Sequence, residues 1–189
     1  MTIEPAKSGN SHRRKGEMMY KIFQNPLCLL SREELQDFGG IWEERCWLNT
    51  PGPFYCAETD TCLGGPLSAP SNVLITEDGQ EFIFRQPHNE GELRAVVRAA
   101  NCEPACGYGA DGNLHWTERD IEQWHSRRDE IMEWISRARR NFRTIFKNAN
   151  FQHNHLDNSL NNFELFIQKQ SSNYAQSYSE SIQKQHIQH

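Results

Sequence analysis

No apolar run in the chain reaches the ~18 residues that a membrane-crossing helix needs, which excludes a helical membrane span. The opening MTIEPAKSGNSHRRKG carries basic residues without a following apolar core or a small-residue cleavage site, so no secretory leader is expected. A cytoplasmic location follows as the expectation. In a reducing compartment the six cysteines (Cys28, Cys46, Cys56, Cys62, Cys102 and Cys106) are free thiols or metal ligands rather than three disulfides. Catalytic signatures are missing as well: there is no GxSxG, HExxH, kinase or EF-hand string. A non-enzymatic role is therefore the preferred expectation. No internal repeat is present, which excludes a solenoid or propeller.

Basic residues are scarce in one long stretch. From Ser31 to Phe82 ten acidic side chains stand against two basic ones, Arg32 and Arg45, so this region favours a basic partner and disfavours nucleic acid. From Arg119 to Lys147 arginine is frequent instead. There Arg137, Arg139, Arg140, Arg143 and Lys147 interleave with apolar positions, and a solvated helix face accounts for them better than a nucleic-acid edge does.

What is present suffices for a core: 37% of the 189 residues are hydrophobic and 11% aromatic, enough for one domain without metal or disulfide staples. Residues 1–16 read as a disordered leader, 17–147 as a single globular domain, and 148–189 as an Asn/Gln-rich, largely flexible tail with one apolar island at Phe163, Leu165, Phe166 and Ile167. Within the domain, Met18 to Phe23 is a short apolar segment. Ser31-Arg-Glu-Glu34 is a capping box that opens a short helix ending near Gly39-Gly40. The β-prone strings VLIT and EFIF flank Asp78-Gly79, which predicts a β-hairpin over about 72–85. Asn89-Glu-Gly-Glu92 opens a second helix whose Leu93, Val96, Val97 and Ala100 should pack on that hairpin. Thr117 caps a long final helix with a stripe at Ile121, Trp124, Arg128, Ile131, Ile135, Ala138, Phe142 and Ile145, apolar but for Arg128. The fold class is α+β, a small antiparallel sheet with helices gathered on one face.

Two strings carry the chemistry-bearing residues. The first, Cys46 to Cys62, is too rich in Pro and Gly for a helix, and Trp47, Phe54 and Tyr55 supply enough apolar surface to fix it as an ordered loop. It reads either as a binding loop or as a structural lid. Glu58 and Asp60 in the same loop form a carboxylate pair, suited to acid/base work, a hard cation or a basic partner. Cys46, Cys56 and Cys62, with Cys102 or Cys106 as a fourth ligand, define the zinc or iron–sulfur alternative; a second close cysteine pair, which a structural zinc site normally has, is lacking. The second string, Gly107 to Trp116, places Tyr108, Asp111 and His115 among three glycines before the final helix. It ends without the Lys-Ser/Thr of a P-loop, so a tight connector is the preferred reading over a phosphate site.

The strings WLNTPGPFYCAETDTC, FIFRQPHNEGEL and GYGADGNLHWT resemble signature strings of small bacterial proteins of unassigned role, some of them of the immunity-protein kind encoded beside polymorphic toxins. The resemblance spans Cys46 to Trp116. It implies a cytosolic inhibitor, without cofactor, that binds a toxin domain; no catalytic residue is carried over by it. In that reading Glu58 and Asp60 meet basic groups of the toxin while Trp47 and Tyr55 act as aromatic anchors. The alternatives are a small cysteine-ligated metal or redox protein, and a hydrolase or transferase whose site lies between the 46–66 and 107–116 loops and joins Asp60, Asp111 and His115.

Overall fold

The computed structural model of the chain describes residues 26–60, 63–145 and 150–187. The expected leader, the Met18–Phe23 segment, Lys147 and Cys62 lie outside the described residues. The architecture is α+β. In chain order the elements are α1 (Arg32–Leu35), β1 (Tyr55–Cys56), α2 (Gly64–Ser68), β2 (Val73–Ile75), β3 (Glu81–Ile83), α3 (Glu90–Asn101) and β4 (Tyr108–Gly109), followed by α4 (Glu118–Ser126), α5 (Arg128–Ile145), α6 (Asn150–Lys169) and α7 (Ser171–Ile187).

Local chemistry sets the ends of these elements. Ser31 and Glu34 close a reciprocal capping box on α1, Asn89 accepts the Glu92 N–H at the start of α3, and Thr117 and Asp120 close a second box on α4. The hairpin turns at Asp78-Gly79, where Gly79 takes φ 92°. It pairs Val73 with Ile83, Leu74 with Phe82 and Ile75 with Glu81.

Every strand residue of the hairpin is buried, and strand alternation explains how. Val73 and Ile83 face Leu93, Val96 and Ala100 of α3, while Leu74 and Phe82 face Trp134 and Ile135 of α5 and Phe163 of α6. Helices therefore cover both faces of the hairpin, which corrects the expectation of one covered face. A strand buried on both sides reads as a short continuous apolar run, as VLI does. The second pair, β1 with β4, forms a separate two-stranded sheet.

The long final helix is interrupted. Arg127 takes φ −85° and ψ 13°, which ends α4 and lets α5 start in a new direction. The apolar stripe is buried from Ile121 to Phe142, whereas Ile145 is exposed.

The C-terminal segment departs most from expectation. Residues 150–187 form two helices rather than a flexible tail. Leu156, Leu160, Phe163 and Ile167 recur at four, three and four residues and lie in the main core. Ala175, Tyr178 and Ile182 of α7 pack on Trp116 and Ile121. Three hydroxyls tie these helices to the loops: Ser159 donates to Pro70 O (2.7 Å), Tyr174 to Pro51 O (2.5 Å) and Tyr178 to Asn113 Oδ1 (2.7 Å).

Candidate functional site

The Cys46–Asp60 loop has almost no strand ladder, so side chains satisfy its backbone. Asn49, fully buried, does this with all its capacity. Its Nδ2 donates to Cys46 O (2.8 Å) and Cys56 O (2.7 Å), and its Oδ1 accepts from Cys56 N (3.0 Å) and Ile83 N (2.8 Å). Gln86 Nε2 donates to Thr50 O and Phe54 O. The loop is thereby stitched to the hairpin.

Behind it lies a buried acid. Glu81, fully buried, accepts from Gly65 N (2.8 Å) and from the Tyr108 hydroxyl (2.5 Å), while its own N–H donates to Thr59 Oγ1 (2.8 Å). Burial pushes its carboxyl up to about 7, against the pull of the Tyr108 hydrogen bond. A Cβ on Gly65 would fall 2.2 Å from both Glu81 Oε2 and the Tyr108 oxygen, so glycine is required there. Tyr108 is thus a core residue rather than a surface contact.

The remaining predicted residues separate into distinct places. Tyr55, Asp111 and His115 come together: the Tyr55 hydroxyl donates to Gly40 O (2.8 Å) and Asp111 Oδ1 (2.9 Å), and His115 Nε2 lies 3.1 Å from Asp111 Oδ2. Trp42 stacks on the His115 ring at 4.9 Å and meets Tyr55 edge-on at 5.1 Å. Burial, then the Asp111 carboxylate, raises the Tyr55 phenol well above its ordinary range. Trp47 is elsewhere, half-exposed beneath the Arg127 guanidinium at 4.0 Å. Asp60 is only partly exposed, and its N–H donates to Glu103 Oε1 (2.9 Å).

Glu58 is exposed and lines a hollow of about 340 Å³ with Glu44, Thr59, Asp78 and Gln80. Three carboxylates face this space, and no basic side chain lines it among the described residues. The floor is fixed, because Gln80 Nε2 donates to Ala57 O (3.0 Å) and Thr59 holds the Glu81 N–H.

Of the six cysteines, Cys62 lies outside the described residues. Cys46 and Cys56 are buried, and burial lifts the Cys46 thiol to about 11 and the Cys56 thiol well above its ordinary range, so both stay protonated. Cys28, Cys102 and Cys106 are exposed. Among the described residues no three His, Cys, Asp or Glu side chains are placed to hold one metal ion.

Trp42 and Glu103 escape the sequence reading, and Glu44, Asp78 and Glu81 enter it only as members of the acidic stretch from Ser31 to Phe82, Asp78 also as a turn residue. Nothing in EFIF distinguishes a buried glutamate from one on a solvated strand face. No protein-family model, curated protein or solved structure matches the chain.

Proposed function

We propose that the chain is a binding protein, of the immunity type implied by its resemblance, that neutralises a basic toxin domain by seating one of its cationic side chains in the hollow of Glu44, Glu58 and Asp78. The observation that carries this reading is the convergence of three carboxylates on a concavity that no cation lines among the described residues. Charge complementarity of this kind steers encounter and fixes register. The rigidity of the floor supports it further, since a preorganised site loses little entropy on binding.

Native mass spectrometry of the chain drawn from its own host tests the proposal, comparing wild type with the pair Glu58→Lys, Asp78→Lys. The wild type should retain a second, basic polypeptide, and the double variant should lose at least about tenfold in affinity. A wild-type chain recovered alone, or a partner held equally by the folded double variant, overturns it.

A further inference from the structure

On another part of the surface, Arg45, Trp47, Trp116, Asp120, Trp124 and Arg127 line a hollow of about 220 Å³. Two cations and one carboxylate line it, and Glu130 beside Arg127 offsets one of the cations.

Arg45 and Arg127 are in different situations. Arg127 lies over Trp47 and is committed to Glu130 through two hydrogen bonds of 2.7 Å. Arg45 is half-buried. Its guanidinium stands 3.9 Å from the Trp42 centroid and 5.4 Å from that of Trp116, and it donates to Trp42 O at 3.1 Å. Among the described residues Arg45 forms no ion pair within 4.0 Å; Asp120, engaged in the Thr117 capping box, and Glu43 act on it only from farther away. A guanidinium has five N–H donors and burying its charge is costly unless it is paired. Indole faces offset only part of that cost. A further donor lies nearby: Trp124 Nε1 is buried without an acceptor among the described residues.

We propose that this hollow binds a compact aromatic monocarboxylate, its two oxygens on the Arg45 fork and its ring against the indoles of Trp47 and Trp116. The planar fork matches a carboxylate. Indole walls favour a flat apolar group. The volume lies below the ~300 Å³ at which drug-sized pockets begin, so the ligand is small. Asp120 on the same wall repels a second negative charge, which selects a monocarboxylate over the phosphate dianion.

The test follows the five tryptophan indole N–H signals of the full chain by NMR during titration with benzoate, benzamide and inorganic phosphate. Benzoate should shift at least two of the signals saturably, with a Kd of about 1 mM, the affinity expected of so small a ligand. Benzamide and phosphate should bind at least tenfold more weakly, and Arg45→Gln should reduce benzoate binding by the same factor. Absence of saturable shifts up to about 20 mM benzoate overturns the proposal, as does equal binding of benzamide or phosphate to the wild type. Those wild-type comparisons decide the matter even if Arg45→Gln fails to fold.

Discussion

The stretch from Cys46 to Trp116 and the stretch from Glu118 to Ile187 are held together by different physics. In the first, strands are two or three residues long, and buried polar side chains replace the missing ladder. Asn49 makes four hydrogen bonds, and the Glu103 carboxylate accepts from the N–H groups of Asp60, Ala105 and Gly107. In the second, helices satisfy their own backbones and join through apolar stripes. The charged and aromatic groups that could recognise a partner or ligand lie mainly on the first stretch or where the two meet. A loop can present such groups in fixed positions only when something other than a ladder holds it, and here polar side chains do so.

The strongest attempt to break this comparison is directed at α6. Phe163 lies between Phe82 (5.8 Å), Phe84 (5.7 Å) and Trp134 (6.4 Å), and is fully buried. Phe163→Ala should cost about 3–5 kcal/mol, by lost burial plus the cavity left behind. Urea denaturation measures it. A loss below about 1 kcal/mol would mean that α6 is not part of the core, and the second region would then end at α5.

Asn49→Ala probes the other region with a much smaller change in volume. It leaves the Cys56 and Ile83 N–H groups without their acceptor, each costing ~1–3 kcal/mol if water cannot reach it, while the carbonyls of Cys46 and Cys56 keep the backbone N–H groups of Asn49 and Cys46. Because partial rehydration offsets some of this, the expected loss is about 3 kcal/mol, read by the same denaturation experiment. Asn49→Asp retains the acceptor oxygen for Cys56 N and Ile83 N, but it buries a charge and should be no milder. An Asn49→Ala chain as stable as wild type would show that packing, not polar stitching, orders the loop.

How much of this was legible beforehand differs between the two regions. The hairpin over 72–85, the caps at Ser31, Asn89 and Thr117, and the stripe from Ile121 to Phe142 are local or periodic, so the sequence displays them. The helices of 150–187 were hidden because Asn, Gln and Ser dominate the composition, while only a narrow stripe at Leu156, Leu160, Phe163 and Ile167 is apolar. A helix needs no more than that stripe when a core is already waiting. The clusters around Glu44, Glu58 and Asp78, and around Arg45 and Trp116, join residues far apart in the chain, and no period or motif connects them. Tyr55 stands apart from Asp111 and His115 in the sequence, and the β1–β4 pairing is what brings Tyr55 alongside Gly109, near the other two.

A pH titration separates the two regions, because the polar one contains the buried carboxyl of Glu81, whereas in the helical one burial holds His125 below its ordinary value, an effect of opposite sign. Burial raises the Glu81 carboxyl from 4.5 to about 7 in the folded chain. Between these values the folded state binds the extra proton. The stabilisation is fully present below about 4.5 and is lost as pH rises through about 7. From pH 5 to pH 8 the chain should therefore lose about 2 kcal/mol, and Glu81→Gln, which keeps an acceptor for Gly65 N, should flatten that slope. An unchanged slope in the glutamine variant would locate the titrating group elsewhere.

The smallest effect is expected at the seam. Thr117 joins the polar region to α4; its Oγ1 accepts the Asp120 N–H at 3.2 Å and donates to Asp120 Oδ2 at 2.6 Å. Both residues are at least partly exposed, so water can replace the lost cap. Thr117→Ala should accordingly cost about 1 kcal/mol and lower the midpoint of a thermal melt by a few degrees, and Thr117→Ser should restore it. If α4 owes its place to the burial of Ile121 and Trp124, the loss stays that small. A loss above about 2 kcal/mol would mean that the capping box itself holds the two regions together, because freeing Asp120 would then also let it pair with Arg45 and rearrange the indoles at the junction.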